Sequence, residues 1–168
     1  MGSPTFSWAS KVRQFRAHLG ARVRPDERTA LTTWLTPAQA ALFDGMHVAD
    51  QRHGLDVVGA LRAAGHGGDS ELLLAGLLHD ASKGPTVGVW HRVAWSLGEH
   101  YGPLVERPLG HLPGFRAAFD ILREHADRSA TLARAAGCSP RTADLIRHQA
   151  EPADPVAGEA LRLADEAN

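Results

Sequence analysis

The chain has 168 residues, 43% of them apolar and 22% charged, a profile for one globular domain with room for an N-terminal extension and not for a disordered chain. Lys and Arg number 18 against 19 Asp and Glu, so the net charge is −1 and no cationic surplus is available to grip a nucleic-acid polymer or an anionic membrane. The longest apolar run, residues 72–78, is far below the roughly 20 residues of a membrane span; no charged-then-apolar leader opens the sequence, and a lone cysteine, Cys138, allows no internal disulfide, so a cytoplasmic protein is expected.

Helix signals dominate the chain in order. Residues 6–19 read as a weakly amphipathic helix, and 26–35 as a second. Thr36-Pro37 is an N-cap followed by Pro at the first helical position, opening a helix over 37–43. A longer helix is expected over 48–64, with Leu55, Val58 and Leu61 at three-residue steps and Gly65 as its stop. Gly67-Gly68 makes a loop, Asp69 or Ser70 caps a helix running to about residue 81, and Gly84-Pro85 ends it. Residues 87–101 are expected to be helical, and 102–114, rich in Pro and Gly, to be loop. Residues 115–136 form a long helix stopped by Gly137; Ser139-Pro140 repeats the cap-plus-Pro signature and opens a helix to about 150; Pro152 and Pro155 precede a last helix over 156–167. Period-2 segments rich in β-branched residues are missing, so the fold class is all-α. Residues 1–45 read as an N-terminal helical extension and 46–168 as the main helical bundle.

Ten histidines in 168 residues is a surplus, and imidazole is the commonest metal ligand and near-neutral acid or base. His79-Asp80 closes the apolar run Leu72-Leu73-Leu74-Ala75-Gly76-Leu77-Leu78. A helix apolar nearly all round is buried, and a buried His-Asp pair is costly unless it is paired or holds a cation. The plain alternative is a helix end capped near the surface. His53, His125, His148 and Asp165 are each set in an otherwise apolar helical pattern on separate segments, and two antiparallel helices joined by a short Gly loop would bring His53 beside His79. Such a set suits one or two first-row transition metal ions. His18, His47, His66, His100 and His111 have no motif context, and Cys138 reads as a small buried residue without a catalytic partner.

The order His, His-Asp, His, His, Asp resembles the HD-domain superfamily of metal-dependent phosphohydrolases, over residues 50–168, about 70% of the chain. Asp50-Gln51-Arg52-His53-Gly54-Leu55-Asp56-Val57 resembles the family's first histidine helix. Leu77-Leu78-His79-Asp80-Ala81-Ser82-Lys83-Gly84 resembles its His-Asp-x-x-Lys signature, with Ala-Ser where the middle positions are more often hydrophobic-Gly. His125-Ala126-Asp127-Arg128-Ser129-Ala130 resembles the His-Pro-x-x-Gly-Ala helix of the subgroup with additional histidines, with Ala126 for Pro and Ser129 for Gly. Leu145-Ile146-Arg147-His148-Gln149 resembles its Ile-x-x-His-His, with Gln149 in the second His place. Asp165 is similar to the closing Asp. The 46-residue gap from His79 to His125 implies an insertion around 90–113.

The resemblance implies an HD-type helical bundle that binds one or two divalent transition metal ions (Fe, Mn, Co, Ni or Zn) and cleaves a phosphate ester of a nucleotide or related small phosphorylated metabolite. It implies His53, His79, Asp80 and Asp165 around a first ion, and His125 and His148 around a second with Asp80 bridging. Gln149 then either lowers the number of ions or replaces an outer group. Asp80 and Lys83 carry the chemistry, Lys83 as a fixed positive charge for a phosphoryl oxygen; His91 and Arg92, in the insertion, are substrate contacts; Asp56, one turn after His53, is a candidate partner for a ligand imidazole. A mixed-valent di-iron oxygenase and a non-catalytic, metal-retaining signalling module are the alternatives within the same family.

Overall fold

The computed structural model describes residues 20–84, 91, 94 and 112–168. Among them the regular elements are all helical, so the all-α class stands. The helix expected over 6–19, nearly all of 87–111, and with them Arg92, His18, His100 and His111, lie outside the described residues.

The α-helices are α1 (Pro25–Leu31), α2 (Pro37–Asp44), α3 (Val48–Leu61), α4 (Ser70–Leu78), α5 (Phe115–Ala135), α6 (Pro140–Arg147) and α7 (Ala157–Ala167). The polar residues that punctuate the sequence set these boundaries. Thr36 and Gln39 exchange side-chain and backbone hydrogen bonds in a capping box at the start of α2. Asp69, not Ser70, caps α4: its carboxylate accepts from Leu72 N at 3.1 Å and also holds Arg141 of α6 at 2.7 and 2.8 Å. Ser139 caps α6, accepting from Thr142 N. Helix α3 does not stop cleanly at Gly65. It widens into a single π turn, Arg62–His66, and Gly65 takes a left-handed φ of 94°, which a side chain would resist.

Helix α4 is the axis of the molecule. Leu72, Leu73, Ala75, Gly76, Leu77 and Leu78 are buried, and α2, α3, α6 and α7 all pack on it. Two glycines let α3 and α4 cross at close range. A Cβ on Gly54 would stand 2.5 Å from the Leu77 carbonyl oxygen, and one on Gly76 would stand 2.9 Å from a Leu61 methyl and 3.1 Å from a Val57 methyl. The buried face of α3 is accordingly Gly54, Val57, Val58 and Leu61, with Leu55 only half-buried. Leu161 and Ala164 of α7 and Leu145 and Ile146 of α6 complete the core, and Phe119 and Leu122 of α5 form a smaller cluster with Ala94.

The described part of the expected N-terminal extension is not an appendage. Leu31, Leu35 and Phe43 are buried in the same apolar core as Leu77 and Leu161. Gln51 of α3 also donates to the Asp44 and Met46 carbonyls and accepts from Arg28. The boundary at residue 45 therefore marks no break in packing.

Candidate metal centre

His53 sits beside Gly54 on α3, and His79 caps the C-terminus of α4, three residues past Gly76. The close crossing of these helices puts the two imidazoles edge to face with centroids 5.1 Å apart. Asp165, on α7, reaches into the same space. Its Oδ1 is 2.7 Å from His53 Nε2 and 3.4 Å from His79 Nε2. Asp80 Oδ1 lies 3.6 Å from His79 Nε2, and His53, His79 and Asp80 each offer a donor atom within 4.8 Å of the others. Three residues thus bring their donors together, and Asp165, 112 residues after His53, touches both imidazoles.

The end of α4 departs from the expected helix to residue 81. The regular helix stops at Leu78, and residues 79–84 turn, with Ala81 N on Leu78 O and Lys83 N on Asp80 O. The reason lies in α5. Ser82 N donates to Ser129 Oγ at 3.0 Å, Ser82 Oγ donates to the His125 carbonyl at 2.9 Å, and Ser129 Oγ donates to Ser82 Oγ at 3.1 Å. Ser82 and Ser129 are two of the departures from the family pattern noted above, and they bond to each other. Together they splice the His79-Asp80 turn to the helix that carries His125.

Two of the imidazoles, those of His79 and His125, are oriented by the backbone. His79 Nδ1 donates to Gly76 O at 2.9 Å, and His125 Nδ1 donates to Leu122 O at 2.6 Å, the same three-residue step back in both cases. A proton on Nδ1 leaves Nε2 as the lone-pair nitrogen, the tautomer a metal ligand needs. His79 is 1% exposed and Asp80 2%. Yet His79 Nε2 and Asp80 Oδ1 are buried without a hydrogen-bond partner among the described residues. Burying an orphaned polar atom costs on the order of 1–3 kcal/mol, and here two face each other. Donors bound to one ion at ~2.1 Å stand roughly 3–3.5 Å apart, close to the separations of His79 Nε2 from the Asp80 and Asp165 oxygens. The imidazole and carboxylate donors fit a first-row divalent ion, so the His53-His79-Asp80 cluster is a possible metal site.

Electrostatics agree. Burial alone would push His79 down, but the Asp80 and Asp165 carboxylates more than offset it and raise the imidazole to about 9. Burial would raise Asp165 and Asp80, and the surrounding His and Lys charges instead hold both below the usual carboxylate range. The two carboxylates favour positive charge at this point, and a proton on His79 supplies it. A folded-state value above the unfolded value of about 6.5 stabilises most below that pH and is lost as pH rises through about 9. The metal-free protein should therefore become easier to unfold with urea as pH climbs across that window, and saturating divalent metal should flatten the trend.

The remaining expected residues divide. Lys83 Nζ donates to Asp80 Oδ2 at 2.6 Å, so one Asp80 oxygen faces the lysine and the other the histidines. His125 Nε2 is 3.8 Å from Asp80 Oδ1 and takes a hydrogen bond from Gln149 Nε2 at 2.9 Å; burial, with the nearby Lys83 charge, pushes this imidazole below its ordinary value. His148 does not join the cluster. It is exposed, and lines a surface depression with Arg141, Asp144 and Pro152. Helix α6 ends at Arg147, and the tight turn that follows sends His148 outward and its neighbour Gln149 inward. Asp56 does not support His53 either. It is exposed and pairs with Arg52 at 2.8 Å. His91 is helical and stacks edge to face on Phe115, 4.6 Å between centroids. His47 caps α3, accepting from Ala49 N, and Cys138 is buried, with Gln39 Nε2 at 3.6 Å from its sulfur. Sequence reasoning missed the work of Gly54, Gly76 and Ser129. For the serine the signal was present as a departure from pattern; for the glycines nothing in one sequence marks a helix crossing.

Comparison with known proteins adds no relative: no family model, no curated protein and no solved structure matches the chain. Among the described residues no helix is long and apolar enough to cross a membrane.

Proposed function

We propose that the chain is a metal-dependent phosphohydrolase of the HD type, acting on a phosphate ester of a nucleotide or related small phosphorylated metabolite. The observation that carries this reading is the facing pair of buried orphan donors, His79 Nε2 and Asp80 Oδ1, flanked by His53 and Asp165. The resemblance of the His79-Asp80-Ala81-Ser82-Lys83 segment to the HD signature supports it. A divalent ion held there supplies a water acidified toward neutral pH and a Lewis acid for a phosphoryl oxygen. The protein's share is position and charge. His53 and Asp165 lie on the solvent side, 25% and 38% exposed at the side chain, so substrate enters past them, while His79 and Asp80 close the floor. Lys83 at the rim, held by Asp80 Oδ2, presents a fixed ammonium to a phosphoryl oxygen as negative charge builds in the transition state. In the net reaction a water oxygen bonds to phosphorus, the ester P–O bond breaks, and the leaving alcohol takes a proton.

The test is phosphate release from a panel of nucleotides and sugar phosphates by protein loaded in turn with Mn²⁺, Fe²⁺, Co²⁺ or Ni²⁺. Turnover with at least one metal, abolished by chelator, supports the reading; no turnover by protein of proven metal content sinks it. Lys83→Ala should lower kcat about 10²-fold at saturating metal, where the wild-type metal content is still reached, since the lysine donates to a ligand and is not one. Elemental analysis beside steady-state kinetics checks both halves.

A further inference from the structure

We propose that Gln149 confines this centre to a single divalent ion, the one on the His53, His79, Asp80 and Asp165 side; the inference rests on the metal-dependent reading above. The basis is a contrast between two histidines. His79 and His125 are tethered by the same device, Nδ1 donating to the carbonyl three residues back, and both aim Nε2 at Asp80 Oδ1, from 3.6 and 3.8 Å. They differ in what meets the other nitrogen. His79 Nε2 is buried with no hydrogen-bond partner among the described residues, whereas His125 Nε2 is 2.9 Å from Gln149 Nε2.

Proton accounting fixes what that contact is. The His125 Nδ1 hydrogen is committed to Leu122 O, so Nε2 carries a lone pair, and the Gln149 amide donates into it. That lone pair is the one a second ion would take. Turning the amide over would set Gln149 Oε1 against the same lone pair, so the carboxamide cannot switch to an acceptor facing the imidazole. This orientation is held although it leaves Gln149 Oε1 buried without a partner among the described residues. The other donor a second ion would need is missing too, because His148 is on the outside of the α6 terminus. A second ion would have to break the Gln149 hydrogen bond and would gain one imidazole and a shared carboxylate oxygen. The consequence is chemical. Positive charge opposite the ion comes from Lys83 and not from a partner metal, and oxygen activation by a pair of irons has no second iron to use.

The experiment counts ions on the full chain by Mn²⁺ titration, with elemental analysis and electron paramagnetic resonance. Wild type should bind one Mn²⁺ tightly and give the six-line spectrum of an isolated ion. His125→Ala should still bind one. Gln149→His, checked for wild-type helicity, should take up a second and replace the six lines by a spin-coupled spectrum. Two coupled ions in wild type overturn the proposal and leave the phosphohydrolase reading standing, as does loss of the ion in His125→Ala or a folded Gln149→His that stays at one. No ion bound by wild type overturns both.

Discussion

Gly54→Ala is expected to lower the melting temperature by roughly 4–8 °C. The new Cβ would meet Leu77 O at 2.5 Å and Leu77 C at 3.2 Å, which are backbone atoms of a buried helix and cannot rotate aside. Relief requires α3 and α4 to separate by close to an ångström, an overpacking cost of about 3 kcal/mol, against which the better helix propensity of Ala returns only about 1 kcal/mol. Gly59, on the exposed side of the same helix, is the matched control: nothing lies within 4 Å of its added Cβ. Gly59→Ala should stabilise by roughly 0.5–1 kcal/mol. Urea denaturation of the two variants reads opposite signs from one substitution type. The separation also moves His53 away from His79, so Gly54→Ala should weaken metal binding more than its loss of stability alone would.

That contrast shows where sequence reasoning reaches and where it stops. Helix existence, and most boundaries, follow from caps that act within four residues, as at Thr36 and Ser139. The buried character of α4 is written in an unbroken apolar run, and a His-Asp pair at the end of such a run must find a counter-charge or a cation. These are local facts. The convergence of His53, His79 and Asp165 depends on how near two helix axes can come, which glycines at 54 and 76 decide and no periodicity reveals. The inward turn of Gln149 in place of His148 is of the same kind. Two adjacent residues past a helix end differ in direction by the turn's dihedral angles, and pattern matching alone set the imidazole inside. Ser82 and Ser129 read one at a time as departures from a family pattern; only their mutual hydrogen bond makes them one feature.

Asp80→Asn should cost more function than any other single change. It leaves the shape of the side chain and removes the charge. Asp80 Oδ1 is the oxygen that faces His79 and His125, and Oδ2 anchors Lys83, so one neutralisation both weakens the ion's hold and releases the rim lysine. Loss of an outer-shell group around a metal costs 10–100-fold in affinity, so loss of a direct carboxylate ligand is expected to exceed about 10²-fold, and turnover should fall on the order of 10³ or more. Thermal shifts separate this from unfolding. Metal at about 100 times its Kd should stabilise wild type by roughly 2.7 kcal/mol, an upward shift of roughly 5–10 °C, and should leave the melting temperature of Asp80→Asn nearly unmoved. In chelator the ion's share drops out of wild type, and a protonated His79 and the Lys83 ammonium are left to balance the Asp80 carboxylate. As pH rises through about 9 and that proton is lost, Asp80 Oδ1 stays buried at 2% residue exposure without a hydrogen-bond partner among the described residues, a cost Asp80→Asn avoids, so the gap between the two should then shrink to within a few degrees. A variant that instead melts far below wild type in chelator above that pH would mean that the carboxylate holds the turn to α5 and α3 together in its own right, and that its orphaned oxygen is not reserved for a metal.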